Sequence, residues 1–320
     1  MLNRHETSAL ALDVRDLRMR YGSKDVLTGV TFTAHRGEVL ALLGPNGAGK
    51  TTTIEILEGF RARSAGDISV LGCDPARGDE AWRARIGVVL QSWRDHRFWH
   101  VRELLSYSAR FYAPFTTAEV ARPWDVDELL DLVGLSESAN AKIMTLSGGQ
   151  RRRLDVALGI VGRPEIVFFD EPTAGFDPHA RRDFHDLIHR LADFDHTTIL
   201  LTTHDLDEAE KIADRILVLD EGRIVADGSA DQLARQLSTS AEVRWSADGQ
   251  RHVHAVREGD PAEFVRDLLI KNPNVTDLEV RRASLEDTYM ALVHRVECAT
   301  PTAPVKIRAR STLEKTNNLK

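Results

Sequence analysis

The sequence predicts an α/β fold in which βα units gather around a glycine-rich loop, and three observations carry that prediction. Val39-Leu40-Ala41-Leu42-Leu43 is an apolar run of strand length that leads directly into Gly44-Pro45-Asn46-Gly47-Ala48-Gly49-Lys50-Thr51. A second apolar run, Ile166-Val167-Phe168-Phe169, ends in the adjacent carboxylates Asp170 and Glu171. Apolar residues elsewhere recur at helical spacing, as in Leu154, Ala157, Leu158 and Val161.

The first loop fits G-x-x-x-x-G-K-[ST] in full, with a strand before it and Thr52, Ile54, Ile56 and Leu57 continuing as a helix. Its glycines let successive backbone N–H groups turn around an anion, and the helix N-terminus adds partial positive charge. Lys50 is placed to reach the β- and γ-phosphates of a nucleotide, and the Thr51 hydroxyl to hold Mg²⁺. The nucleotide-binding stretch runs from Gly44 through Thr52. Asp170, at the C-terminal end of its strand, is the acidic partner expected for Mg²⁺ in a P-loop enzyme. Glu171, one residue on, suits a general base for an attacking water.

Leu146-Ser147-Gly148-Gly149-Gln150 precedes three arginines and an amphipathic helix for which Ser147 is a natural N-cap, with Gly162 and Pro164 closing it. This is a second anion seat, with no lysine of its own. His204 follows the β-rich run Thr198–Thr203, where an imidazole can hydrogen-bond a γ-phosphate or serve structure alone. Gln91 follows the strand 86–90, and its amide can bridge Mg²⁺ or a bound water to a moving loop. Tyr21 is open to two readings, a ring that stacks on a base or a strand aromatic in the core.

In this order, the residues resemble the ATP-binding subunits of ABC transporters over about residues 10–230. The resemblance implies a P-loop NTPase of ABC type with an antiparallel β subdomain and a helical signature subdomain. Tyr21 then matches the adenine-stacking aromatic, Gly44 to Thr51 Walker A, and Gln91 the Q-loop glutamine. Leu146 to Gln150 match the ABC signature, Asp170 and Glu171 Walker B with its catalytic glutamate, Asp177 the D-loop aspartate, and His204 the switch histidine. Phe176 departs conservatively from the aliphatic residue usual in that D-loop. The resemblance further implies ATP and Mg²⁺ as ligands and a head-to-tail homodimer. In such a dimer, Ser147 and Gly149 of one subunit close over ATP held by Lys50 of the other. A separate multi-spanning permease is implied as well, with the ATPase peripheral on the inner face of the cell membrane.

The remaining regions follow from pattern. Residues 10–35 alternate apolar and polar, as antiparallel strands do. In the 92–145 segment, Val101, Leu104, Leu105, Tyr112 and Val126, Leu129, Leu130, Val133 carry helical spacing. Its Trp93, Phe98 and Trp99 are candidates for permease contacts, although core packing is the commoner role of such residues. Residues 146–228 return to βα units and a closing hairpin. Residues 240–296 predict a small α+β domain, regulatory or dimerising. One helix starts at Asp260-Pro261-Ala262-Glu263 and another at Ser284-Leu285-Glu286-Asp287. That closing pattern resembles the C-terminal appendage of the daunorubicin-resistance type of exporter ATPase. A polar 297–320 tail is expected to be disordered.

Composition narrows the function. The 320 residues are 42% hydrophobic and 28% charged, values of a soluble globular protein. A net charge of −7 argues against a general nucleic-acid binder. Cys73 and Cys298 form no paired motif and suit a reducing cytosol. No apolar run reaches the roughly 18–20 residues of a membrane span, and the first residues lack a signal-peptide core. His185 and His189 stand at i, i+4 but lack a third metal ligand. The alternative to a transporter engine is an ABC ATPase acting without a permease on ribosomes or DNA. The absence of a long coiled coil and of a second cassette weighs against it.

Overall fold

A computed structural model describes residues 10–89, 96–173, 176, 178–237, 241–247, 250–256, 261–272 and 274–282. Gln91, Trp93, Asp177, the 284–287 helix start, Cys298 and the 297–320 tail lie outside the described residues.

The chain opens with two long antiparallel strands, β1 (Leu10–Tyr21) and β2 (Lys24–His35), joined by a tight turn at Gly22. β3 (Val39–Leu43) passes through the glycine-rich loop into helix α1 (Lys50–Leu57). β4 (Ala65–Val70) returns to pair with β1, so the small sheet has the order β2-β1-β4. Short helix α2 (Glu80–Arg83) leads to β5 (Ile86–Val89). Helices α3 (Val101–Ala109), α4 (Val126–Leu132) and α5 (Gly148–Ile160) follow. The chain then alternates β6 (Ile166–Asp170), α6 (Pro178–Asp195), β7 (Thr198–Thr203), α7 (Leu206–Ile212) and β8 (Arg215–Asp220). β9 (Arg223–Gly228) turns back as an antiparallel edge, and α8 (Ala230–Leu237) follows it. The large sheet has the order β5-β6-β7-β3-β8-β9.

The five residues of β3 are all buried, and their alternation explains how the layers assemble. Val39, Ala41 and Leu43 project into one cluster with residues of α3, α4, α5, α6 and α7. Leu40 and Leu42 project into a second cluster with α1 and the small antiparallel sheet. The same division holds on β6, where Val167 and Phe169 face the helices while Ile166 and Phe168 face the small sheet. A parallel strand buried on both faces reads as continuous apolar sequence, which is what these runs show. Sharing one cluster, the α3–α4 segment is packed onto the sheet's helical side.

Trp82 anchors the second cluster. It is 4% exposed, and its indole N–H donates to the Val70 carbonyl at 2.9 Å. Trp82→Ala is expected to cost about 3–5 kcal/mol by transfer and cavity terms together. Thermal denaturation reads this directly, and a loss under ~1 kcal/mol would show that the site collapses around the gap.

Beyond α8 a separate antiparallel sheet forms from β10 (Ala241–Ala247), β11 (Gln250–Val256) and β12 (Thr276–Arg282), in the order β11-β10-β12. Helix α9 (Pro261–Lys271) starts at the proline and first-turn glutamate that its sequence predicts. Its Phe264 stacks on His254 with ring centroids 4.5 Å apart.

Candidate functional site

The glycine-rich loop lies at the C-terminal end of β3, where its backbone must turn sharply. Gly49 has φ of 107°, a region that L side chains rarely adopt, and a Cβ there would sit 2.6 Å from Leu27 Cδ2. A Cβ at Gly44 would lie 2.3 Å from the Leu219 carbonyl, so that position admits only glycine without a shift of β8. Pro45, Asn46, Gly47 and Ala48 form the turn between them, with Asn46 and Gly47 exposed.

Lys50 is 5% exposed, and its ammonium donates to the carbonyls of Gly44 at 2.9 Å and Pro45 at 3.2 Å. The same nitrogen lies 3.5 Å from Glu171 Oε1, and His204 Nδ1 lies 3.5 Å from that oxygen too. The Thr51 hydroxyl donates to Asp170 at 3.1 Å to Oδ2. Thr202 Oγ1 joins the two carboxylates, donating to Asp170 Oδ1 at 2.7 Å and accepting from the Glu171 N–H at 2.9 Å. Glu171 holds φ of 45°, a left-handed backbone fixed by that bond and its neighbours. The structure thus brings Lys50, Thr51, Asp170, Glu171 and His204 together at one end of the parallel sheet, with Thr52 next along α1.

The other predicted residues that are described lie outside that cluster. Ser147 caps α5 as its sequence suggests, accepting from Gln150 N–H while Gln150 Oε1 accepts from Ser147 N–H, and Gln150 Nε2 donates to Ser138 Oγ. Among the described residues, no hydrogen bond or ion pair of Ser147 or Gln150 reaches the Lys50 cluster. Tyr21 ends β1 at 39% exposure with the Arg61 guanidinium 5.1 Å from its ring centroid, which removes the core reading. The core expectation also fails for Phe98 and Trp99. Phe98 is 70% exposed, and Trp99 stands in an edge-on ladder with His96, Tyr107 and Phe111 on the outside of α3. The apolar faces of α3 and α4 are filled by aliphatic residues instead.

Three participants were not foreseen. Thr202 is one. Glu208 on α7 is buried and accepts 2.5 Å hydrogen bonds from Thr173, two residues after Glu171, and from Thr203, one residue before His204. Burial pushes its carboxyl up, and those hydroxyls pull it partly back. Glu58, at the end of α1, is pushed up to about 8 by burial first, then by the charges of Asp170 and Glu55. A pair of threonines closing a strand, or a glutamate one turn into a helix, carries no signal of such partners. The bond between Thr202 and Glu171 spans 31 residues, and that between Glu208 and Thr173 spans 35.

These features define a nucleotide-binding P-loop protein. The family description "ABC transporter" matches residues 27–174. The Nod factor export ATP-binding protein I of Burkholderia orbicola (strain AU 1054) is 41% identical over 227 residues, 71% of this chain and 73% of that one. The daunorubicin resistance ATP-binding protein DrrA3 of Streptomyces coeruleorubidus is 40% identical over 223 residues, 70% and 69% of the two chains. The Nod factor export ATP-binding protein I of Rhizobium johnstonii is 35% identical over 278 residues, 87% of this chain and 84% of that one, a span longer than the cassette alone. Among solved structures, an ATP-binding subunit of an ABC transporter superposes with a TM-score of 0.62 at 28% identity, covering 81% of this chain and 99% of that one. A bacterial Atm1-family ABC exporter with ATP bound gives 0.60 at 26% identity, covering 70% and 39%. The chain belongs to the ABC transporter family of ATP-binding proteins, and it is an ATPase.

Proposed function

We propose that the chain is the ATP-hydrolysing subunit of an exporter, driving efflux of a drug-like or lipid-like substrate through a separate permease chain. The observation that carries the catalytic part is the convergence of Lys50 Nζ and His204 Nδ1 on Glu171 Oε1, beside the Thr51–Asp170 pair. In this reading Lys50 and the loop N–H groups bind the phosphates, and Glu171 accepts a proton from the attacking water. His204 holds the γ-phosphate and orients that water. Tyr21, exposed at a strand end, offers a ring face to the base. Thr51 and Asp170 offer hard oxygen donors within 3.3 Å of each other, a donor set that fits Mg²⁺. When bound there, the ion neutralises phosphate charge.

Gly148 supports a dimer that completes the site. Among the described residues a Cβ at Gly148 would meet nothing within 4 Å, and its φ is not left-handed, so none of them demands a glycine there. A second subunit's ATP approaching the α5 N-terminus would. The exposed Trp99–Tyr107–Phe111 ladder offers the permease an aromatic contact face. Among the described residues no helix is long and apolar enough to cross a membrane. Export and the drug-like or lipid-like cargo rest on the names of the Nod factor and daunorubicin relatives. The 240–296 unit is read as regulatory or dimerising.

Glu208→Gln tests the arrangement around Glu171. Its carboxylate ties together the segments that carry the general base and the switch histidine, so turnover is expected to fall about 10–100-fold through misplacement, with KM for ATP little changed. Steady-state ATPase assays over an ATP range separate the two constants, and an unchanged kcat would remove Glu208 from the arrangement. The exporter reading is tested by recovering tagged Glu171→Gln protein with ATP from detergent-solubilised native membranes. A stoichiometric multi-spanning partner is expected; ribosomal or chromosomal proteins in its place would overturn the transport claim and leave the ATPase.

A further inference from the structure

At the opposite end of the parallel sheet from Lys50 lies a cavity of about 890 Å³ with an unusual charge balance. One wall is made by residues that precede strands: Arg36 before β3, Arg85 before β5, Glu165 before β6 and Thr197 before β7. The other wall is the 114–124 loop between α3 and α4, with the end of α5. Six residues separate Glu165 from Glu171 along β6, about 20 Å at ~3.3 Å per residue. The cavity is therefore distinct from the nucleotide site.

Three guanidinium groups converge on one carboxylate there. Arg85 grips Glu165 with two hydrogen bonds of 2.6 and 3.0 Å, Arg36 adds one of 2.8 Å, and Arg122 reaches it only at 3.4 Å. Burial alone would raise the Glu165 carboxyl, but the bonds from Arg85 and Arg36 outweigh it and hold it down at about 2. It is ionised at neutral pH and still leaves two of the three positive charges uncompensated. Arg163 and Glu119, also on the wall, add one formal charge of each sign.

Arg122 bears the cost of this arrangement. It is 5% exposed, its Nε has no hydrogen-bond partner among the described residues, and its guanidinium also donates to the Phe115 carbonyl at 3.4 Å. A buried guanidinium this poorly satisfied is expensive for stability alone. Arg85 and Arg36 already give Glu165 three short hydrogen bonds, and Arg122 adds only a long fourth. Around the charged end the cavity is lined by Phe115, Trp124 and Leu191, and its volume falls in the range of small-molecule sites.

We propose that this cavity is a second anion site, which binds a small organic phosphate monoester. The phosphate sits against Arg36, Arg85 and Arg122, and the organic part against Phe115 and Trp124. A monoester carries −1.5 to −2 charge at neutral pH, close to the excess of two on the arginines, and guanidinium forks match its oxygens. This inference does not depend on the exporter reading.

The test is calorimetric titration of the full chain with phenyl phosphate. One equivalent is expected to bind with Kd below about 1 mM, a value that Lys50→Ala leaves unchanged. Arg36→Gln, at the partly exposed rim, should weaken it about tenfold or more, as expected for one charge-assisted hydrogen bond. Ala81→Glu, an exposed wall position, should do the same by adding a competing carboxylate without touching the buried arginines. Absence of saturable binding would overturn the proposal. So would binding that disappears in Lys50→Ala and survives in Arg36→Gln and Ala81→Glu, because the probe would then occupy the glycine-rich loop alone.

Discussion

Glu171→Gln is expected to bind ATP with unchanged affinity and to hydrolyse it about 10²–10⁴-fold more slowly, the range for loss of a general base. The substitution keeps the volume of the side chain and removes its charge and basicity. Glu171 Oε1 stands 3.5 Å from both Lys50 Nζ and His204 Nδ1. Asp170 is committed to the hydroxyls of Thr51 and Thr202. Single-turnover hydrolysis and equilibrium binding on the same preparation separate chemistry from affinity. The trapped protein should also become dimeric with ATP and revert without it, which light scattering reads. Near-normal hydrolysis would remove Glu171 from the role of base.

Lys50→Ala is expected to weaken ATP binding by about 30-fold to more than 1,000-fold, corresponding to the roughly 2–5 kcal/mol typical of truncating one partner of a buried charge contact. The ammonium is almost wholly buried and held against the Gly44 and Pro45 carbonyls, so its position is fixed before any phosphate arrives. A preorganised cation loses little side-chain entropy on binding, which makes its removal more damaging than that of a surface lysine. Thermal denaturation offers a second readout: the ATP-dependent rise in midpoint seen for the unaltered protein should vanish, because stabilisation by a ligand scales with its occupancy. An unchanged ATP-dependent shift would show that phosphate recognition rests on the loop backbone alone.

The parts of the fold that were legible in the sequence are those written in periodicity. The runs 39–43, 166–170 and 198–203 became three neighbouring parallel strands, and the predicted spacing of Val101, Leu104 and Leu105 became the buried face of α3. The cap at Ser147 and the first-turn proline at Pro261 were readable because capping is local chemistry. The candidate site was legible where one stretch of chain carries it, in the glycine-rich loop and at Asp170-Glu171. It was not legible where distant segments meet. Glu208 finds Thr173 across 35 residues, and Thr202 links two carboxylates from another strand. The core expectation for Phe98 failed for a similar reason: residue type sets a tendency to burial, but whether an aromatic finds a core depends on elements packed against it. Arg122 was unremarkable in sequence and became informative only once its orphaned nitrogen was seen beside Glu165.

The two-sided packing of β3 has a consequence for how this protein can change over time. Each of its five positions belongs to one of two interiors according to whether its number is odd or even. Exchanging one aliphatic residue for another disturbs a single interior, and such swaps are usually tolerated within ~1.5 kcal/mol. Inserting or deleting one residue would move every side chain beyond it to the opposite face, and would rotate the start of the glycine-rich loop with them. Descendants of this sequence should therefore vary freely in the lettering of the strand while conserving its count, and the spacing between Val39 and Lys50 is the part of the chain least able to drift.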